Sequence, residues 1–123
     1  MVDVTVPKTQ VAAVLSGKGV LEIKDDFPVP QPGSGQVLIK VEAAPLNPSD
    51  TYFMEGDYDL GTRPISYPVA PGWEGAGTVV ATGGGISTWG MIGRRVAFSK
   101  QSEPNQTISI GGSYQQYAMT DAW

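Results

Sequence analysis

Glycine and proline interrupt this sequence at short intervals. The chain has 16 glycines and 10 prolines among 123 residues, and only 16% of its residues are charged. Frequent breakers favour many tight turns, and few charges leave little to support long, salt-bridged surface helices. Because 123 residues correspond to one domain of ordinary size, we expect a single domain built mostly of β-strands.

Two residue types are missing altogether, cysteine and histidine. Without thiols there are no disulfides, and zinc loses the two side chains that it prefers as ligands. A Ser–His or Cys–His nucleophile is excluded for the same reason. Any acid–base chemistry must therefore use tyrosine, lysine, aspartate, glutamate or water.

The formal net charge of −4 argues against one class of partner. A surface that repels phosphates is a poor match for DNA or RNA, so we predict no nucleic-acid partner. The apolar run at residues 11–15 is too short for the core of a signal peptide or for a membrane span. We therefore expect a soluble protein with no membrane partner, located in the cytoplasm, with the mitochondrion as an alternative.

The first third of the chain predicts a hairpin and a connecting segment. Residues 1–9 have no periodicity, and we expect a flexible N-terminus there. Apolar runs at 10–16 and 20–24 flank Gly17 and Gly19, which is typical of a β-hairpin. Residues 27–35 hold three prolines and two glycines, so they predict an extended surface crossing. The folded domain is expected to cover residues 10–123.

The clearest strand prediction is Gln36–Ala43, where Val37, Ile39, Val41 and Ala43 fall on one face and charged residues on the other. Further strands are predicted at 72–82, where glycines at the start indicate close backbone approach, at 95–98 and at 113–119. Many short strands with almost no helix favour a small, partly open β-barrel with one or two short helices.

One short helix is predicted just after the best strand. Asn47 suits its N-cap, Pro48 its first position and Asp50 its third, and Gly56 suits the stop that follows Glu55. No glycine-rich turn in the sequence is followed by a helical pattern, so no dinucleotide-binding domain is predicted. A P-loop and a G-x-S-x-G elbow are also missing from the sequence.

Seven short segments carry a family resemblance. They are PVPQPG at 28–33, QVLIKV at 36–41, NPSD at 47–50, GDY at 56–58, PGWEGAG at 71–77, GRRV at 93–96 and GGSY at 111–114. Together, in this order and at this spacing, they resemble the N-terminal GroES-like catalytic domain of the medium-chain dehydrogenase/reductase family. The resemblance covers roughly residues 10–122 and stops where the nucleotide-binding domain of that family would begin.

Two positions indicate a branch of that family. Zinc-dependent members place cysteine where this chain has Asn47 and histidine where it has Trp73. The resemblance therefore implies the zinc-independent quinone oxidoreductases and enoyl reductases, in which NADPH reduces an activated carbon–carbon double bond of a small molecule. The chain alone would lack the domain that binds NADPH, so it is expected to be inert, to expose apolar surface and to self-associate.

The same resemblance assigns candidate site residues. Tyr58 falls on the catalytic tyrosine of the enoyl reductases, which would protonate the substrate after hydride transfer. Asn47 and Ser49 are expected on the cofactor side, Tyr52 and Trp73 are expected to wall the substrate pocket, and no metal ligand is expected.

Other interpretations of these residues remain open. Asn47 and Asp50 also suit a helix cap without any chemistry, and Trp73 also suits a core aromatic. Glu74 is interpreted as a structural carboxylate satisfied by backbone donors, Arg94 or Arg95. For the whole chain, the alternative function is a stand-alone GroES-like module with a structural or protein-interaction role.

Overall fold

The computed structural model describes residues 6–55, 66–99 and 112–122. This part of the chain forms two antiparallel β-sheets, one α-helix and one turn of 3₁₀ helix. The elements are β1 (Thr9–Gly17), β2 (Val20–Pro28), β3 (Gln36–Ala43), α1 (Pro48–Glu55), β4 (Glu74–Thr82), the 3₁₀ helix Ile86–Thr88, β5 (Arg95–Ser99) and β6 (Tyr117–Asp121). The mostly β prediction is confirmed, and the sheets are open rather than closed into a barrel.

The predicted hairpin forms the first sheet, in which β1 pairs with β2. Its turn contains Gly19 with a φ of 72°, a conformation that glycine adopts without steric cost. Strand β2 continues to Pro28 and so takes in the first residues of the predicted surface crossing. Strand β1 begins at Thr9, and the carbonyl of Lys8 accepts a hydrogen bond of 3.0 Å from the backbone nitrogen of Val29.

The second sheet has four strands in the order β5-β4-β3-β6, with every neighbouring pair antiparallel. The predictions of β3, β4 and β5 are confirmed. A Cβ atom on Gly77 would overlap the carbonyl oxygen of Lys40 on β3, which explains why glycine is needed where these backbones approach.

Side chains are buried on both faces of the central strand β3. Val37 and Ile39 pack with Val79, Phe98 and Ala118 on one face. The other face buries a second cluster of three residues, Leu38, Val80 and Tyr117. The single apolar face predicted for this strand is therefore incomplete, because Leu38 on the other face is buried as well.

The last strand lies later in the chain than predicted, at Tyr117–Asp121 instead of residues 113–119. The preceding segment crosses from the chain near Ala70 to β1. The nitrogen of Gly112 donates to the carbonyl of Ala70 at 2.6 Å, and the nitrogen of Ala13 donates to the carbonyl of Tyr114 at 2.9 Å. These long-range partners take the backbone hydrogen bonds that a longer β6 would have used.

A buried glutamine joins the two sheets. Gln10 on β1 is buried, and its Nε2 donates to Oε1 of Gln115 at 2.8 Å. Its own Oε1 accepts a hydrogen bond of 2.6 Å from the backbone nitrogen of Tyr117, the first residue of β6. Because both ends of this amide are paired inside the protein, it fixes how the hairpin sits on the four-stranded sheet.

Candidate functional site

The N-terminus of α1 carries the first part of the candidate site. The helix begins at Pro48, as predicted, and the carboxylate Oδ2 of Asp50 accepts a hydrogen bond of 2.7 Å from the backbone nitrogen of Asn47. This is the half of a capping box that the third helical residue supplies. Asp50 has no exposed surface, so the cap is buried in the interior beneath the start of the helix.

The side chain of Asn47 reaches away from the helix. Its Nδ2 donates to Oε1 of Glu74, the first residue of β4, at 3.1 Å. The expectation that Glu74 pairs with backbone donors, Arg94 or Arg95 is therefore wrong, and Arg95 instead lies 3.0 Å from Glu42. An amide has two N–H donors and an acceptor oxygen, so Asn47 keeps hydrogen-bonding capacity for a further partner.

Tyr114 holds the buried carboxylate from the opposite side. Its hydroxyl lies 3.0 Å from Oδ2 of Asp50 and 3.0 Å from the carbonyl oxygen of Pro45. Burial, and then the hydrogen bond and negative charge of Asp50, raise the pKa of Tyr114 well above its ordinary value. The phenol therefore stays protonated and acts as a donor that ties the 112–116 segment to the helix.

An aromatic pair lies next to this hydrogen-bonded group. The rings of Phe53 and Trp73 meet edge to face, with centroids 5.2 Å apart and an interplanar angle of 79°. Phe53 is buried with Leu15 and Val69, whereas Trp73 packs against this cluster and is only half-buried. Trp73 thus closes the core with one part of its ring and keeps another part accessible, which is compatible with both interpretations of this residue.

The remaining predicted site residues are distributed as follows. Ser49 is half-buried in the first turn of α1, next to Asp50. Tyr52 is 54% exposed, and it precedes the buried Phe53, so on a helix it projects roughly 100° away from that residue. Tyr58 lies outside the described residues, and its catalytic role stays a prediction.

A pocket of about 480 Å³ lies beside Glu74. Such a volume is within the usual range for a small-molecule site. Its walls come from the end of β3, the start of β4 and the end of β5. The lining residues are Ala43, Ala44, Pro45, Glu74, Gly75, Ala76, Ala97 and Phe98. Its walls are mostly apolar with one carboxylate, and none of the predicted site residues Asn47, Ser49, Tyr52 and Trp73 lines it.

The donor set does not fit zinc. Across residues 6–55, 66–99 and 112–122, no three histidine, cysteine, aspartate or glutamate side chains cluster as metal ligands would. The amide of Asn47 and the indole of Trp73 are not among the side chains that bind zinc in proteins.

A nicotinamide cofactor fits in part. The carboxamide of a nicotinamide has one donor group and one acceptor, which match the capacity that Asn47 keeps. The pyrophosphate of such a cofactor needs a strand, a glycine-rich turn and a helix, and the described sheets contain only antiparallel pairs without that unit. The described residues therefore offer groups that match the nicotinamide end and none that match the pyrophosphate.

No helix in the described part of the chain has the length and apolar character needed to cross a bilayer.

Comparisons with known proteins agree with this geometry. The family model of the alcohol dehydrogenase GroES-like domain matches residues 33–123. The quinone oxidoreductase of Lama guanicoe is 37% identical over 103 residues, which is 84% of this chain and 28% of that protein. A mycobacterial protein solved in complex with NADPH superimposes with a TM-score of 0.69 at 35% identity, covering 93% of this chain and 32% of the other. A thermostable alcohol dehydrogenase from Pyrobaculum aerophilum superimposes with a TM-score of 0.73 at 27% identity, covering 92% and 39%.

The fold and these matches define a GroES-like domain of the alcohol dehydrogenase type. The chain belongs to the medium-chain dehydrogenase/reductase family, in its quinone oxidoreductase branch. It spans 28% of the length of the guanaco relative.

The sequence did not single out Tyr114. It lies in the GGSY segment that carries part of the resemblance, but nothing in the pattern of that segment indicates a bond to Asp50, 64 residues earlier in the chain. Asp50 itself was predicted as a capping residue, and its complete burial is a tertiary feature.

Proposed function

We propose that this chain forms the substrate-binding side of a zinc-independent, NADPH-dependent reductase that reduces quinones or other activated double bonds. The observation that carries the proposal is the amide of Asn47, held 3.1 Å from Glu74 beside the half-buried Trp73. The names of the relatives, quinone oxidoreductases, and the NADPH bound to the mycobacterial neighbour support the same substrate class and cofactor.

The bound NADPH would supply a hydride to the substrate. Addition of a hydride to an enone or a quinone places negative charge on the substrate oxygen, which needs a hydrogen-bond donor. We assign this role, or the orientation of the nicotinamide, to the N–H group of Asn47 that Glu74 does not use. Ser49 would lie on the cofactor side, and Tyr52 and Trp73 would flank a flat substrate.

The proton that completes the reduction is assigned to Tyr58. Tyr114 is unsuited to this task, because the raised pKa of its hydroxyl makes it a weaker acid. Its role is to hold Asp50, which in turn fixes the backbone of Asn47. Tyr114 and Asp50 are therefore positioning residues in this proposal, and Tyr58 is the proton donor.

Binding of a quinone can be tested on the chain itself through tryptophan fluorescence. Quinones quench indole fluorescence, so titration with a small benzoquinone should give saturable quenching if the ligand sits against Trp73. The Trp73→Phe variant should lose the saturable component. Trp89→Phe is the matched control, because Trp89 lies 76% exposed on the loop before β5 and should leave that component intact. Saturable quenching that persists in Trp73→Phe would contradict the proposed placement of the substrate against Trp73.

Catalytic turnover by the isolated chain is a separate prediction. We expect the isolated chain to be inert, because the described residues offer no site for the pyrophosphate of NADPH. Incubation with NADPH and a panel of quinones and enoyl thioesters should therefore leave NADPH unoxidised, and turnover at ordinary enzyme rates would overturn this part of the proposal.

A cytoplasmic location, with the mitochondrion as the alternative, stays a proposal that cell fractionation tests.

A structural or protein-interaction module is the alternative function. It predicts no saturable quinone binding at Trp73 and no cofactor dependence in any context, so the titration distinguishes it from the reductase. Self-association through exposed apolar surface is compatible with either function.

A further inference from the structure

Strand β2 is the outer strand of its sheet. It is nine residues long, and within the described residues it pairs with β1 alone. Every residue of the strand is exposed except Phe27, which is half-buried. The backbone N–H and C=O groups on the far edge of such a strand are a template for pairing with another strand.

The side chains of β2 divide between two faces. Leu21 and Ile23 point to one face, and both are exposed, Ile23 to 73%. Glu22 and Lys24 point to the other face and form an ion pair of 3.4 Å along the strand. An outer strand with large aliphatic residues on one face and opposite charges two residues apart on the other has the features of an interface.

The order of residues 22–24 makes the centre of the strand complementary to itself. In an antiparallel pair of identical strands related by a two-fold axis, the residue at the axis lies opposite its own copy. An axis at Ile23 places Ile23 opposite Ile23 of the second copy. It also places each Glu22 directly opposite a Lys24, which gives two ion pairs between the copies.

The neighbouring registers lack this match. An axis at Glu22 would place two glutamates opposite each other, and an axis at Lys24 would place two lysines opposite each other. Like charges in directly opposed positions destabilise a sheet, so the charges select the register at Ile23.

We propose that β2 is the docking site for a second copy of this chain, with the two-fold axis at Ile23. The result is a four-stranded sheet across two molecules, in the order β1-β2-β2-β1. This interface does not depend on the proposed reductase activity, because β2 carries none of the residues assigned to that site.

The contact is expected to be short and weak. The pairing of β1 with β2 is regular from Leu21 to Lys24, and its register shifts between Lys24 and Phe27, next to two aspartates. Irregular pairing and charged residues limit how far an edge can be extended. A contact of a few residues per strand buries much less area than a standard interface, so the dimer should form only at high protein concentration.

Sedimentation velocity over a concentration series tests this proposal. The parent chain should show a monomer–dimer equilibrium with no larger species. Lys24→Glu and Glu22→Lys each place like charges in both opposed pairs, so each should weaken the dimer by about tenfold or more. The double variant Glu22→Lys/Lys24→Glu restores opposite charges in every pair and should dimerise like the parent.

Mixing the two single variants gives a sharper test of the register. Lys24→Glu carries two glutamates and Glu22→Lys carries two lysines at these positions, so the two variants should form a heterodimer with each other while failing to form homodimers. High salt should weaken all of these dimers, since exposed charges are screened. Circular dichroism of each variant checks that the fold is retained.

Lys40→Glu is the matched control for net charge. Lys40 is an exposed residue of β3, outside the hairpin, and its substitution changes the charge by the same amount without touching β2. This variant should dimerise like the parent. The proposal is overturned if the parent stays monomeric, if Lys24→Glu dimerises like Lys40→Glu, or if the double variant and the mixture fail to dimerise.

Discussion

Strands β2 and β3 have similar lengths and both mix aliphatic with charged residues, yet their surroundings are opposite. Val37, Leu38 and Ile39 of β3 are almost completely buried, whereas no residue of β2 is buried. The difference is one of position, because within the described residues β3 pairs with a strand on each side and β2 pairs with β1 alone. The residue composition therefore identifies a strand, and the structure packed around that strand determines which of its side chains are buried.

The largest expected change in stability comes from a pair of isoleucine substitutions, one on each strand. Ile39→Ala removes a fully buried side chain and should lower the free energy of unfolding by about 2–5 kcal/mol. Ile23→Ala makes the same chemical change on the exposed strand and should stay within about 0.5 kcal/mol of the parent at low protein concentration. Urea denaturation of both variants measures the difference, and equal losses would contradict the comparison.

Glycine substitutions test backbone packing in the two sheets. Gly77→Ala forces β4 away from the carbonyl of Lys40 and should cost about 1–3 kcal/mol. Gly17→Ala at the end of β1 meets no atom within 4 Å and should change stability by less than about 1 kcal/mol. Thermal melts of the two variants measure the difference in stability. An unchanged melting temperature in Gly77→Ala would show that these strands have room to separate.

Breaking the link between the two sheets should have a comparable or slightly smaller effect. Gln10→Leu keeps the size of the side chain but leaves the buried oxygen of Gln115 and the nitrogen of Tyr117 unpaired, at about 1–3 kcal/mol. Gln116 is its matched control, since this exposed residue also accepts a backbone hydrogen bond on β1. Gln116→Leu should cost about 0.5 kcal/mol or less by the same denaturation assay.

The smallest expected effect concerns Tyr114. Tyr114→Phe removes the bond to Asp50 and should cost about 0.5–1.5 kcal/mol at neutral pH. Because the pKa of Tyr114 is raised in the folded state, the unfolded state loses this proton first as pH rises above 10.0, and stability falls. Tyr114→Phe should flatten this alkaline decline in denaturation midpoints, whereas Tyr52→Phe should keep it. An unchanged decline in Tyr114→Phe would show that Tyr114 is not its source.

Local signals in the sequence predicted most of the fold. The glycine at the hairpin turn, the alternation in β3 and the cap and proline at α1 each act over a few residues, and each element was found at or near its predicted position. The position of β6 was wrong because residues 112–116 bond to β1 and to Ala70. No local pattern encodes partners that lie 40 or more residues away.

The candidate site was predictable in part for the same reason. Asn47 and Asp50 were recognised from helix-capping chemistry and from the family resemblance, and the hydrogen bond from the backbone nitrogen of Asn47 to the carboxylate of Asp50 is present. Glu74 was predicted to pair with backbone donors, Arg94 or Arg95, but the chain just before α1 brings the amide of Asn47 to it. The contribution of Tyr114 depends on how three separate segments meet, which only the tertiary structure determines.

The decisive experiment joins this chain to the rest of the guanaco quinone oxidoreductase, in place of the segment that it matches. Its NADPH-dependent quinone reduction is then measured before and after treatment with a zinc chelator. If this chain is the substrate-binding part of a zinc-independent reductase, the chimera should reduce quinones at a rate that chelation leaves unchanged. A folded chimera that binds both NADPH and quinone without turnover, or one whose activity is lost on chelation and restored by zinc, would contradict it.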